Sequence, residues 1–297
     1  MKCWKCPRSC LSPASFCCAD SESPEVASVY AHKGEEPVLS GERGISNIFF
    51  AHCNLHCCYC QNRDISGFDV SSERVTLHTV REIVDAVARS LERSENIVGL
   101  VSATQYSDLV APIVEGLHAR GLFPTVVYNT GGYERVEVID RIAPYIDIFL
   151  PDFKYSDAEL AQRYSNAYDY PDVAKAAISE MYKLKGSSLP TDDDGIAFRG
   201  LIVRHLVLPG CIDNSIGCLR WLSENLSPNI YVSLMAQYYP PEGVELPDEL
   251  NRRLTTEEYD TVVEALRQFG FHRGWVQELE SADCYKPHFG EKTVFGN

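Results

Sequence analysis

The chain has 297 residues, enough to bury a large core as one unit, and its composition is globular, with 45% hydrophobic and 23% charged residues. Its 27 Lys and Arg against 42 Asp and Glu leave a formal net charge of −15, which opposes nucleic-acid binding. No apolar run reaches membrane-spanning length, so neither nucleic acid nor membrane is an expected partner.

The first residues, Met1-Lys2-Cys3-Trp4-Lys5-Cys6, lack the apolar core of a secretory leader, and a cytoplasmic location is expected. In that compartment twelve cysteines point to metal ligation before disulfides. Residues 1–28 are rich in cysteine and serine and have little periodicity. There Cys3, Cys6, Cys10 and Cys17 give C-x2-C-x3-C-x6-C, with Cys18 as a substitute for Cys17. Four thiolates suit zinc or an iron–sulfur centre. The alternative is a tail with reduced thiols.

Ile45–Phe50 reads as a short buried strand, and Cys53, Cys57 and Cys60 follow it in C-x3-C-x2-C. A [4Fe–4S] cluster normally takes four protein thiolates, so three close thiolates can hold three irons and leave the fourth open. His52 and His56 flank these cysteines; they read as exposed loop residues, the alternative being that they tune the cluster's potential by hydrogen bonding.

Strands and helices then alternate. Leu77–Arg93 carries apolar residues on one helical face. Ile97–Val101 is an expected strand, Asp108–Ala119 a helix, Pro124–Tyr128 a strand, Glu134–Ile142 a helix and Ile146–Leu150 a strand. Helices at Asp157–Arg163 and Val173–Leu184 precede a polar loop, 185–195. Leu201–Leu208, Ser215–Leu226 and Ile230–Leu234 read as strand, helix and strand. A last helix, Thr256–Phe269, and a strand, Trp275–Leu279, complete the pattern. Repeated βα units predict an α/β fold with a parallel sheet, curled into a partial or full (β/α) barrel. A flat doubly wound sheet is the alternative, weakened because no Gly-rich phosphate loop opens the first helix. The expected organisation is a metal-binding segment at 1–28, a barrel core at 29–240 and a C-terminal extension at 241–297. Cys58, Cys211, Cys218 and Cys284 read as small buried hydrophobes, with a hydrogen-atom donor as the alternative role for Cys211 or Cys284.

The cysteine loop, with Tyr59 before its last cysteine, resembles that of radical S-adenosylmethionine (SAM) enzymes. Over nearly its whole length the chain resembles PflX-type homologues of pyruvate formate-lyase activating enzyme. The matching stretches are Cys3–Cys10, Glu35-Glu36-Pro37, Ser40-Gly41, the cysteine loop through Asn62, Tyr128–Glu134, Leu150–Tyr155, Gly200–Gly210 and Trp275–Leu279. The resemblance implies a radical-SAM barrel holding a [4Fe–4S] cluster on Cys53, Cys57 and Cys60, and SAM cleaved reductively to a 5′-deoxyadenosyl radical. It implies an electron donor such as flavodoxin or ferredoxin, and a glycyl-radical enzyme as the partner. Radical modification of a peptide or small molecule is the alternative, and a non-catalytic iron–sulfur carrier or redox sensor is another.

The same resemblance implies SAM contacts. Asn129 and Thr130 are expected at the methionyl or ribose part, Asp152 at ribose hydroxyls, Lys154 at the carboxylate, and Arg204 as a planar donor fork. Gln237 falls where activating enzymes place a histidine against adenosine. The Gly-Gly-Glu-Pro stretch of many such enzymes is replaced by Val101–Tyr106, so Ser102 and Thr104, or backbone carbonyls, are expected to receive the SAM amino group. No residue is singled out as the hydrogen-atom donor.

Overall fold

A computed structural model describes residues 3–10, 24–67 and 75–279. Strands β1 (Glu25–His32), β2 (Ile45–Phe50), β3 (Thr76–Leu77), β4 (Ile97–Val101), β5 (Thr125–Thr130), β6 (Ile148–Pro151), β7 (Gly200–Leu206), β8 (Tyr231–Met235) and β9 (Gly274–Val276) form one sheet in the order β3-β1-β2-β4-β5-β6-β7-β8-β9. From β2 through β9 neighbouring strands run parallel, while β1 pairs antiparallel with both β2 and β3. The helices are α1 (Pro37–Ser40), α2 (Arg63–Ser66), α3 (Val80–Leu91), α4 (Val110–His118), α5 (Val136–Ile142), α6 (Ala158–Ser165), α7 (Tyr170–Lys185), α8 (Ile212–Asn225) and α9 (Thr256–Gln268).

Strands β2, β4 and β6 are buried at every position, as expected when helices cover one face and a core fills the other. The expected strands at 45–50 and 97–101 have those bounds. The expected helix at 108–119 divides into a 3-10 turn, Thr104–Leu109, and α4. Helix α7 begins three residues earlier than its apolar pattern indicates, because Pro171 suits a first turn. Strand β1 is an addition, and it begins within the cysteine-rich stretch. Helix α3 starts at a reciprocal capping box between Thr79 and Glu82, which fixes its entry from the β3 edge.

The two faces of the sheet differ. Val98, Leu100, Val126, Tyr128, Phe149, Leu201, Val203, Val232 and Leu234 pack with the helices in the main core. On the opposite face Ile45, Ile97, Val127, Ile148 and Ile202 form a smaller apolar layer, closed by Leu39 of α1 and by Leu189 and Ala197. Moving two residues toward the strand ends, this inner face becomes polar at Asn47, Asn129 and Arg204, as the period of two requires. Gly99 leaves space there, since a Cβ at that position would lie 1.9 Å from Asn47 Oδ1.

The sheet is curled. Glu35 accepts hydrogen bonds from Asn47 on β2 and from Arg204 on β7. Those strands are four intervals apart, about 19 Å in a flat sheet, too far for one carboxylate to bridge. The flat doubly wound alternative is thereby excluded. Among the described residues β3 and β9 are edges with no further partner, so the sheet is an open, partial barrel.

Candidate active site

The cysteine loop leaves β2 under several clamps. Gln105 Nε2 donates to Ala51 O at 2.8 Å and to His52 O at 2.9 Å. His52 adopts a positive φ of 66°, and its ring pairs with the Glu25 carboxylate. Arg8 Nε donates to Asn54 O at 2.7 Å, and Asn54 Nδ2 donates to Tyr133 O at 2.6 Å. The amide of Cys58 donates to Tyr164 O at 2.8 Å. His56 is half-buried, and desolvation, with Arg8 nearby, lowers its pKa to about 4. Neither flanking histidine is the exposed loop residue that the sequence suggested.

Each of the three thiols has a hydrogen-bond partner. Leu55 N–H donates to Cys53 Sγ at 3.4 Å, Ser165 Oγ donates to Cys57 Sγ at 3.0 Å, and Ser66 Oγ lies 3.2 Å from Cys60 Sγ. Burial, with Cys57 and Cys60 adding, pushes the Cys53 thiol up to about 12, and burial also raises Cys60. These sulfurs therefore stay protonated at neutral pH unless a metal cation ionises them. No three His, Cys, Asp or Glu side chains among the described residues converge to hold one metal ion. A lone zinc on these cysteines does not fit. A cluster does not require that convergence, because each thiolate would bind a different iron.

Cys53, Cys57 and Cys60 line a cavity of about 210 Å³ together with Ser102, Asn129, Asp152, Lys154, Arg204 and Gln237. Every one of these was singled out in the sequence, and they converge from six strand ends or the loops that follow them, those of β2, β4, β5, β6, β7 and β8. Arg204 is the hub. Its Nε donates to Asp152 Oδ1 at 2.8 Å, one terminal nitrogen to Glu35 at 3.0 Å and the other to Asn129 Oδ1 at 2.5 Å. Lys154 Nζ pairs with Asp152 Oδ2 at 2.6 Å. Burial pushes the Asp152 pKa up, but Arg204 and Lys154 together outweigh it and hold the group below its ordinary value. Burial would lower Lys154, yet Asp152 and Cys57 raise it. Both cations therefore stay charged beside the thiols.

Tyr170 holds the neighbouring loops in register. Its hydroxyl accepts from Lys154 N–H at 2.9 Å and lies 2.9 Å from the carbonyls of Gly131 and Asp152. Gly132, at φ +79°, is required beside them, since a Cβ would lie 2.3 Å from Asp152 O. Gln237 sits at the far wall, where its carbonyl accepts from Gln61 Nε2 at 2.8 Å and its side chain from Gln277 Nε2 at 3.0 Å.

Thr104 and Thr130 are placed differently. Both are buried, and both hydroxyls donate to Glu134 Oε1, Thr104 at 2.5 Å. Adjacent strand residues face opposite sides, so Asn129 at the cavity sends Thr130 into the outer core. Burial raises Glu134 to about 7, against the lowering by the threonine hydroxyls. Glu35 and Tyr59 line the cavity without having been proposed as site residues. Glu35 lay unremarked as a contact because it arrives from the loop before β2 and reaches the site only through the curl. Asn47, the one amide within the apolar run of β2, was the available signal for a polar inner layer.

In the N-terminal stretch, Cys3 N–H donates to Cys10 O at 2.9 Å, Arg135 Nε donates to Cys6 O at 2.8 Å, and Lys5 pairs with Asp108 at 3.0 Å. Cys3, Cys6 and Cys10 are not gathered as a three-ligand metal site. Cys17, Cys18 and Cys284 lie outside the described residues. Cys211 and Cys218 are buried, as small core residues, and Cys58 is half-buried. No helix among the described residues is long and apolar enough to cross a membrane.

No protein-family model matches the chain. The chain is 30% identical over 245 residues to an uncharacterized protein of Methanocaldococcus jannaschii, a match covering 81% of this chain and 66% of that relative, just under two thirds of its length. A domain of pyruvate-formate lyase-activating enzyme from Bacteroides vulgatus is similar at 13% identity, with a TM-score of 0.41 and coverage of 58% of this chain and 92% of that one. The FeFe-hydrogenase maturase HydG from Carboxydothermus hydrogenoformans is similar at 12% identity, with a TM-score of 0.48 and coverage of 73% and 49%.

Proposed function

We propose that the protein is a radical-SAM enzyme, with Cys53, Cys57 and Cys60 holding three irons of a [4Fe–4S] cluster. One observation carries this reading: the three thiols share a single cavity with Ser102, Asn129, Asp152, Lys154 and Arg204. A cluster with one open iron supplies a site for the amino and carboxylate groups of SAM and the electron that cleaves its sulfonium. The chain's own groups bind and orient. Lys154 offers an ammonium to the methionyl carboxylate. Asp152 offers a carboxylate to ribose hydroxyls, and Arg204 holds Asp152 and Asn129 through separate guanidinium nitrogens. The apolar layer below and the tyrosines beside the cysteine loop exclude water. A non-catalytic carrier has no use for the charged half of this cavity.

The expected partner is a glycyl-radical enzyme, with a flavodoxin or ferredoxin as electron donor, in the cytoplasm. That choice of partner is supported by the PflX-type sequence resemblance alone. The test is anaerobic reconstitution with iron and sulfide, reduction, and assay of 5′-deoxyadenosine from SAM. Iron uptake near four per chain with SAM cleavage is expected. Absence of both in the wild-type chain ends the proposal. Incubation with candidate glycyl-radical enzymes should give a glycyl doublet by electron paramagnetic resonance; deuterium arriving in 5′-deoxyadenosine from a peptide or metabolite instead reassigns the substrate.

A further inference from the structure

Behind the cysteine loop runs a buried chain of hydroxyls. Tyr59 and Tyr155 are joined oxygen to oxygen at 2.7 Å, and Tyr155 and Ser165 at 2.7 Å. Ser165 Oγ lies 3.0 Å from Cys57 Sγ. Ser165 and Tyr155 are fully buried and Tyr59 nearly so. Each hydroxyl has one hydrogen. A Cys57 thiolate can only accept, so once it binds iron Ser165 must donate to sulfur, Tyr155 to Ser165, and Tyr59 to Tyr155. The polarity of the whole chain is then fixed, and each bond polarises the next.

The position of the chain is set by the fold. Ser165 is the last residue of α6, whose end abuts the cysteine loop: His56 N–H donates to Ser165 O at 3.3 Å and Cys58 N–H to Tyr164 O at 2.8 Å. Arg8 holds the same corner, donating to Asn166 O at 2.7 Å and to Ser165 O at 3.3 Å.

We propose that Ser165, backed by Tyr155 and Tyr59, is a positioning device that raises the reduction potential of the cluster through Cys57. The proposal rests on the proposed function. Reduction adds negative charge to the cluster, and a donor aimed at a ligating sulfur favours the reduced form. Tyr59 also lines the cavity, so the far end of the chain lies at the binding site.

The test is a redox titration of the reconstituted full-length protein followed by electron paramagnetic resonance, without SAM. Ser165→Ala is expected to lower the midpoint potential at unchanged iron content. Tyr155→Phe should lower it less and Tyr59→Phe least, while Ser165→Thr restores it. Wild-type midpoints in both Ser165→Ala and Tyr155→Phe overturn the inference while leaving the enzyme assignment standing, provided SAM is still cleaved. Where Ser165→Ala fails to take up iron, the two phenylalanine variants decide: lowered midpoints support the device and unchanged ones overturn it. A wild-type chain that binds no cluster overturns the inference and the enzyme assignment together.

Discussion

The two halves of the cavity are built on opposite principles. The charged half is complete in the protein alone: Arg204 is met by Glu35, Asp152 and Asn129, and Lys154 by Asp152. The cysteine half is not. Burial raises the Cys53 and Cys60 thiols, and the loop that carries them is tied down by groups from elsewhere, Gln105, Arg8 and Ser165. The charged half is therefore a preorganised receptor, whereas the cysteine half acquires its working charge state only with metal. Substitutions in the two halves should accordingly fail in different ways.

The largest effect is expected in the cysteine half. Replacing Cys53, Cys57 and Cys60 together with Ala should remove the iron bound there and abolish SAM cleavage. The fold, measured by circular dichroism and thermal melting in the metal-free state, should be nearly unchanged, because burial disfavours charge on Cys53 and Cys60 and the loop is held mainly by Gln105, Arg8 and Asn54. Retained SAM cleavage in that variant would sink both the cluster assignment and the contrast.

Arg204→Ala should behave conversely. It leaves the largely buried Glu35 without its cation and Asp152 with Lys154 alone, and removing one partner of a buried pair costs about 3–5 kcal/mol. Urea titration should show that loss. Cluster iron should still load while SAM binding, followed calorimetrically, is weakened. A variant as stable as wild type would show that the network is not a preorganised receptor.

Stability against pH separates the charged half from its support. Asp152 has a depressed pKa, so its contribution is present above its unfolded value and is lost as pH falls through the folded one, below about pH 4. Glu134 has the opposite sign. Its pKa is raised to about 7, so its contribution is full below its ordinary value and is lost as pH rises through 7. A decline of about 3 kcal/mol between pH 4.5 and 7 follows from that difference. Glu134→Gln, which keeps a side-chain acceptor for the two threonines, should flatten that decline. An unchanged slope in the variant would place the titrating group elsewhere.

How much was legible in the sequence follows the same physics. The parallel strands read clearly because both faces are buried and their runs are apolar, as in Ile45–Phe50 and Ile97–Val101. Strand β1 did not, because its half-buried alternation follows a cysteine-rich stretch with no strand signal. Cys53 was legible from local spacing, whereas Asn129, Asp152, Lys154 and Arg204 were legible only through the family resemblance of the stretches that carry them. Thr104 was assigned because it stands where many radical-SAM enzymes carry Gly-Gly-Glu-Pro, and Thr130 because it follows Asn129, although a strand residue next to an inward-facing Asn129 must face outward. Glu35 was illegible as a contact because its place depends on the curl bringing β2 and β7 together, a long-range property with no local signature.

The smallest effect probes that curl. Gly99 on β4 has no room for a Cβ, since Asn47 Oδ1 occupies the space 1.9 Å away, and that amide reaches Glu35 at 3.0 Å. Gly99→Ala should push Asn47 off Glu35 and cost about 1–3 kcal/mol, the usual range for overpacking. Asn47→Ala should cost about 1 kcal/mol for the lost hydrogen bond, or more if the carboxylate is left short of donors. In the double variant the added methyl occupies the space vacated by the amide. The two costs should then fall short of their sum by more than the few tenths expected of independent sites. Strict additivity in urea titrations would mean that the inner layer is not packed around this contact, and that Arg204 and Asn129 hold Glu35 without it.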